Sequence, residues 1–242
     1  MKLQLISDTH DYLNRFTPHK DADLIIHAGD FVCQHDKDNE QIHAFVQMCE
    51  QAGKPYVLVL GNHDYYGQKL GTDYPKQLET QGVNVLYQGK EFVFGGMIFV
   101  GDTLWTDFDL YGKPNIQKLM LYKRSLMDFY DIDGLSCQEM SDEHQRACKF
   151  LARYRGRSDV FVITHFPPCA VMVHDDFAHS DLNPYFVNNM NVKGFRHWAC
   201  GHVHYTDRRT DKGCLLYINA SGYQSSTAQE CQGFDPAYLI EI

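Results

Sequence analysis

The chain has 242 residues, a formal net charge of -9, 44% hydrophobic residues and 22% charged ones. These are ordinary values for one large globular domain with a sizeable core. The acidic balance excludes a general affinity for nucleic-acid backbone or an anionic membrane, and leaves room only for a local basic groove.

Residues 1–6 go straight into a strand-like run and end in Ser7-Asp8-Thr9-His10. They lack the longer apolar region and cleavage site of a signal peptide. Nowhere does an apolar run approach the roughly 18 residues needed to span a bilayer. Eight cysteines are scattered without a CxxC pair. Reduced, buried thiols and a cytoplasmic location are therefore expected.

Residues 23–28 form a second apolar run, ending at Gly29-Asp30. From 39 to 52, Ile42, Phe45, Val46 and Cys49 recur at helical spacing, and Gly53 stands as a stop signal. Residues 56–60 make a third strand that runs into Gly61-Asn62-His63-Asp64. Strand, helix, strand within about sixty residues implies a parallel crossover unit. A short helix is expected at 75–81. The β-rich runs 83–86, 91–94 and 97–100 follow, split by glycines and expected as hairpin-connected strands.

Residues 101–140 are irregular and aromatic, with Trp105, Phe108, Tyr111, Tyr122, Phe129 and Tyr130. They read as a cap-like insertion carrying a helix around 116–127, its aromatics packing rather than stacking on bases. Ser141 is the expected cap of a helix running to about 154. Residues 159–164 form a buried strand ending at His165. A long loop to about 198 contains a short helix near 184–190, and loops of this length are usually functional or disordered. Residues 198–200 lead into Gly201-His202-Val203-His204. Strands at 207–210, 214–219 and 238–242 complete a second set. No linker or repeat divides the chain, so a single domain is expected.

Five apolar strands thus end in polar clusters: Asp8-Thr9-His10, Gly29-Asp30, Gly61-Asn62-His63-Asp64, His165 and Gly201-His202-Val203-His204. The i,i+2 pairs Asp8/His10 and His202/His204 would point the same way at extended strand ends. Imidazole, carboxylate and one carboxamide, without thiolate, suit divalent ions such as Mn, Fe, Zn or Co rather than a structural zinc site. Asp8, His10, Asn62, His165, His202 and His204 provide three terminal ligands for each of two ions, with Asp30 bridging. Two ions about 3.5–4 Å apart can activate a bridging hydroxide and clamp a phosphoryl group. Singly, each residue has a plainer reading: Asp8 as a helix cap, Asn62 as a turn residue, His165 as a satisfied histidine. Their joint occurrence at strand ends sets those readings aside. His27 and His197, inside strands, are read as structural, and Cys33 and Cys200 as small fillers.

The ordered set from Asp8 to His204 resembles the calcineurin-like metallophosphoesterase superfamily. Residues 103–108, 127–129, 180–182, Trp198, Asn219, Gly222-Tyr223 and 234–236 resemble a bacterial and phage subgroup of predicted phosphohydrolases. The resemblance implies an α/β fold, a two-sheet β sandwich flanked by helices. It implies one ion on Asp8, His10, Asp30 and His204, and another on Asp30, Asn62, His165 and His202. His63 would meet the phosphate or protonate the leaving group. Protein phosphatases of the superfamily carry a carboxylate and an arginine where this chain has Cys33 and Gln34. That argues against a phosphoprotein substrate and leaves open what orients His63, with Asp64 the nearest candidate. Ser221 likewise stands where the subgroup often has arginine. The expected function is dinuclear hydrolysis of a small phosphate ester, a nucleotide among the candidates and a diester favoured. A monoesterase, a nuclease on short oligonucleotides and a non-catalytic scaffold are the alternatives.

Overall fold

The computed structural model describes residues 1–36, 38–223, 231 and 233–242. Ten strands and six α-helices occur among them. In chain order they are β1 (Lys2–Ile6), β2 (Leu24–His27), α1 (Glu40–Gln51), β3 (Tyr56–Leu58), α2 (Asp73–Thr80), β4 (Glu91–Phe94), β5 (Met97–Asp102) and α3 (Ile116–Ser125). The second half holds α4 (Asp128–Asp131), α5 (Cys137–Leu151), β6 (Val160–Thr164), α6 (Asn183–Phe186), β7 (His197–Cys200), β8 (Thr206–Asp211), β9 (Cys214–Asn219) and β10 (Leu239–Glu241).

The strands form two sheets, one ordered β10-β1-β2-β3 and the other β4-β5-β6-β7-β9-β8. Within the first, β1, β2 and β3 run parallel; within the second, β5, β6, β7 and β9 do. Alternation along the strands splits the apolar residues between two cores. Leu3, Leu5, Leu24, Ile26 and Val57 meet Phe99, Phe161, Ile163, Ala199 and Tyr217 between the sheets. Ile25, Leu58, Val100, Val162, Trp198 and Leu216 face outward into the core shared with the helices. Each fully buried side chain of this size contributes about 1.5–3 kcal/mol, which favours this strand phase over a one-residue slip. The result is the expected α/β sandwich.

Several boundaries differ from expectation for local reasons. Residues 83–86 form no ladder: Val85 makes a single parallel bridge to Leu58, because β3 stops there and turns toward Gly61. Helix α5 begins one turn earlier than Ser141. The Ser136 hydroxyl accepts from the Glu139 amide at 3.2 Å and donates to its carboxylate at 2.9 Å, a capping pair that precedes the Ser141 signal. Strand β10 joins the first sheet, antiparallel to β1, rather than the second set. The β8–β9 hairpin turns through Lys212 and Gly213, both with positive φ, as a two-residue hairpin turn requires.

The aromatic segment is packed. Trp105, Phe108 and Tyr122 are buried in the shared core, whereas Tyr111 and Tyr130 are exposed. His27 and His197 are buried strand residues, held by Thr9 Oγ1 and the Tyr217 hydroxyl respectively. Among the described residues no helix is long and apolar enough to cross a membrane.

Candidate metal centre

The C-terminal ends of β1, β2, β6 and β7, and the loop after β3, converge on one edge of the sandwich, where ligands of α/β sheets gather. Past β1 and β2 the two chains stay zipped: the Asp8 amide donates to the Gly29 carbonyl at 2.9 Å and the His10 amide to that of Asp30 at 3.2 Å. The backbone here is not extended, as the i,i+2 argument assumed. Asp8, His10, Asp30 and His202 have φ of 53°, 43°, 59° and 70°. These four residues adopt left-handed conformations, which re-aim side chains that a pleated strand would have sent elsewhere. Strain of this kind, about 1–3 kcal/mol per residue, concentrates at functional sites. Close approach of the loops demands glycine at position 61, where a Cβ would lie 2.0 Å from Asp30 Oδ1. At Gly29, φ is +92° and a Cβ would lie 2.6 Å from His165 Nδ1.

Two triads result, Asp8-His10-His204 and Asp30-His165-His202, and a third group, His10-Asp30-His63, takes one residue from each; in all three the ligand atoms lie within 4.8 Å of one another. His204 Nε2 lies 3.5 Å from Asp8 Oδ1 and 3.1 Å from His10 Nε2. Asp30 Oδ2 lies 3.3 Å from His165 Nε2 and 3.7 Å from His10 Nε2, so it stands between the triads. Asn62 Oδ1 is 3.0 Å from His165 Nε2 and joins the second triad.

The donor set fits divalent ions. His10 Nδ1 faces the Val32 carbonyl at 3.0 Å and His165 Nδ1 that of Ala28 at 2.8 Å. A carbonyl only accepts, so each Nδ1 carries a hydrogen and Nε2 is the ring nitrogen left to face the centre, where an ion would take the place of any proton on it. His202 Nε2 is buried without a hydrogen-bond partner, an expensive arrangement that an ion would relieve. Charge agrees. Burial pushes the Asp8 and Asp30 carboxyls up, but the surrounding imidazoles outweigh it. His204 and His165 bring Asp8 to about 2, and His165, His63 and His10 hold Asp30 well below the usual range. Burial lowers His10 to about 4 and takes His202 well down, keeping both neutral. His165 differs: burial lowers it, but Asp30 and Asp8 together raise it to about 9.

His63 and Asp64 part company. His63 Nδ1 meets the Cys33 carbonyl at 2.9 Å, and Nε2 faces the Tyr223 hydroxyl at 2.9 Å and that of Tyr66 at 3.4 Å. The Asp64 carboxylate instead accepts from the amides of Gly61, Asp30 and Phe31 at 2.8, 2.9 and 2.8 Å. The expectation that Asp64 orients His63 is therefore corrected. Position 33 orients the ring after all, through its backbone. A 3-10 turn spans His63–Tyr65, and successive side chains on such a turn diverge by about 120°. Asp64 pins the loops beneath the centre, and burial with the neighbouring Asp30 charge lifts it to about 7 against its amide donors.

Four contacts were not anticipated. Asp128 accepts from Asn62 Nδ2 at 3.0 Å and from the Tyr66 hydroxyl at 2.9 Å, and it also bonds the Tyr185 hydroxyl. Tyr223 stacks on His10 with centroids 4.2 Å apart. The sequence signal was the 127–129 and Gly222-Tyr223 resemblance, which carried no contact information.

With its motifs and geometry placed, the chain belongs to the calcineurin-like phosphoesterase family, whose model matches residues 1–206. Members are metal-dependent phosphoric ester hydrolases that use divalent ions, and this chain is such a hydrolase. Solved structures that share the fold include the following two. Phosphopantetheinyl hydrolase from Mycobacterium tuberculosis is 14% identical with a TM-score of 0.67, covering 92% of this chain and 89% of that one. TT1561 of Thermus thermophilus is 12% identical with a TM-score of 0.52, covering 90% and 88%. No curated protein matches the sequence.

Proposed function

We propose that the chain is a dinuclear phosphoesterase of one domain, with residues 101–140 forming one wall of the site. Asp8, His10 and His204 would hold one ion, and Asn62, His165 and His202 the other, with Asp30 between them. The observation that supports this most directly is the place of Asp30 Oδ2, 3.7 Å from one triad and 3.3 Å from the other. Two such ions, Mn, Fe or Zn by donor type, supply an activated water nucleophile and positive charge for the phosphoryl oxygens.

The chain's own residues do the rest. Because Nδ1 of His63 donates to the Cys33 carbonyl, the ring is fixed with Nε2 toward the tyrosine hydroxyls and the open side. In the imidazolium form of His63, Nε2 would pass its proton to the leaving oxygen and the ring would return to the neutral Nδ1–H form. The carbonyl orients the ring without adding the further negative charge that a carboxylate would bring.

A diester is the favoured substrate. Gln34 gives no guanidinium grip on a doubly charged terminal phosphate, and a diester carries one charge. A cytoplasmic setting is part of this reading, because the eight cysteines are scattered without a CxxC pair, a pattern that suits reduced thiols. Small phosphorylated molecules are the expected partners. A nucleotide and, by fold analogy with the mycobacterial enzyme, a phosphopantetheinyl ester both belong in the substrate panel. Purified protein with Mn²⁺ should hydrolyse bis-p-nitrophenyl phosphate faster than p-nitrophenyl phosphate. The reverse order would make it a monoesterase. No hydrolysis of either with several metals would remove the catalytic reading.

A further inference from the structure

Asn62 is the one candidate ligand whose side chain has a right and a wrong way round. Its amide oxygen can hold a cation and its amide nitrogen cannot, yet the two ends have nearly the same shape. Something must decide which end faces inward, and a ligand that is half the time reversed binds poorly.

The deciding group is sixty-six residues away, on α4. Asp128 is 3% exposed, and its Oδ1 takes the Asn62 Nδ2 at 3.0 Å and the Tyr66 hydroxyl at 2.9 Å. Its other oxygen takes the Tyr185 hydroxyl. A carboxylate has only acceptors to offer, so the nitrogen of Asn62 must turn toward it. The oxygen then faces His165 Nε2 at 3.0 Å, inside the triad. The two tyrosines hold the carboxylate in turn, so it cannot rotate away. Tyr66 also reaches His63 Nε2 at 3.4 Å, which ties this carboxylate to the phosphate-facing side.

We infer that Asp128 is a positioning residue that locks the Asn62 amide with its oxygen inward and so sets the affinity of the Asn62-His165-His202 half-site. This rests on the dinuclear reading above. Residues 101–140 thereby contribute more than a wall, since they deliver a carboxylate to the back of a ligand.

The test is Mn²⁺ binding by calorimetry on metal-stripped full-length protein. Wild type should take up two ions. Asp128→Asn keeps the shape but offers Asn62 both a donor and an acceptor, so the amide is free to reverse. One of the two affinities should fall about 10–100-fold, the usual cost of losing a partner behind a ligand, while the other holds. The exchanged pair Asp128→Asn with Asn62→Asp should recover most of that loss, since a carboxylate ligand has an oxygen at either end. This double variant keeps one carboxylate facing one amide and carries the test even if the single variant folds poorly. Tyr185→Phe removes one of the two tyrosine bonds that hold the carboxylate and leaves the Asn62 contact in place, so it should weaken the same affinity by clearly less than Asp128→Asn does. If Asp128→Asn binds both ions as wild type does, or Tyr185→Phe weakens the same site equally, the inference is overturned. It is also overturned if the exchanged pair recovers nothing. Wild type taking up fewer than two ions would overturn the dinuclear reading itself.

Discussion

The two halves of the candidate metal centre are walled differently. The candidate triad Asp8-His10-His204 is the open half through His204 alone, which keeps 14% of its side chain exposed; Asp8 and His10 are fully buried, and the exposed Tyr223 lies over His10 and beside His204. Asn62, His165 and His202 form the sealed half. Phe166, Tyr185 and Phe186 stack around His202 with centroids 4.0, 5.6 and 5.1 Å away, and Asp128 stands behind Asn62. On the proposed dinuclear reading, the aromatic-walled half would retain its ion and the half beside His63 would meet substrate. Asp30 lies within reach of both.

Three measurements sharpen or break this contrast, and a fourth probes the scaffold that carries it. Asp30→Ala should erase it, because both halves lose a ligand. Metal content should fall for both ions and kcat/KM by well over about 100-fold, since losing even a partner behind a ligand costs about 10–100-fold. Retention of one ion at wild-type affinity would show that Asp30 serves one half only. His63→Ala should leave metal content alone and lower kcat by about 10²–10⁴, the usual contribution of a positioned acid or base. A fall in metal content instead would make His63 a ligand of the open half, for which His10, Asp30 and His63 lie close enough.

Chelation should remove the ions in two phases, the open half first. A single phase, followed by metal analysis, would mean that burial does not separate them. The smallest expected effect tests the scaffold apart from the centre. Asp102, on β5, is lifted to about 7 by burial and by the nearby Glu143, against amide donors at Leu104 and Gln88. The folded protein then holds this proton more tightly than the unfolded chain, whose carboxyl titrates near 3.8. Its contribution to stability is therefore full below about pH 4 and is lost as pH rises to about 7. Metal-stripped Asp102→Asn should lose less stability than wild type in thermal melts between about pH 5 and pH 7.5. Equal losses would assign the pH dependence to other groups.

What could be read in advance follows from the range of each interaction. The strand phases were legible because alternation is local, and the candidate ligands because each closes an apolar run. Their aim was not. The i,i+2 rule presumed a pleat, and the backbone at Asp8 and His10 had left it. Asp64 was misjudged because nearness along the chain is not nearness in space on a 3-10 turn. Asp128 was out of reach altogether: an acidic residue in an aperiodic aromatic segment signals no partner sixty-six positions away. Ser136 was missed for a smaller reason, a stronger capping pair lying one turn before a plausible one.

The left-handed backbone at Asp8, His10, Asp30 and His202 also bears on any attempt to re-engineer the centre. Aspartate and histidine are among the few residues other than glycine that tolerate that conformation. A designer who exchanges one for glutamate or cysteine to attract a different metal changes two things at once, the donor atom and the fit of the main chain. Poor loading of such a variant would say little about metal preference. Asn62, His165 and His204 lie outside the positive-φ set, so these three positions are where donor chemistry can be varied by itself.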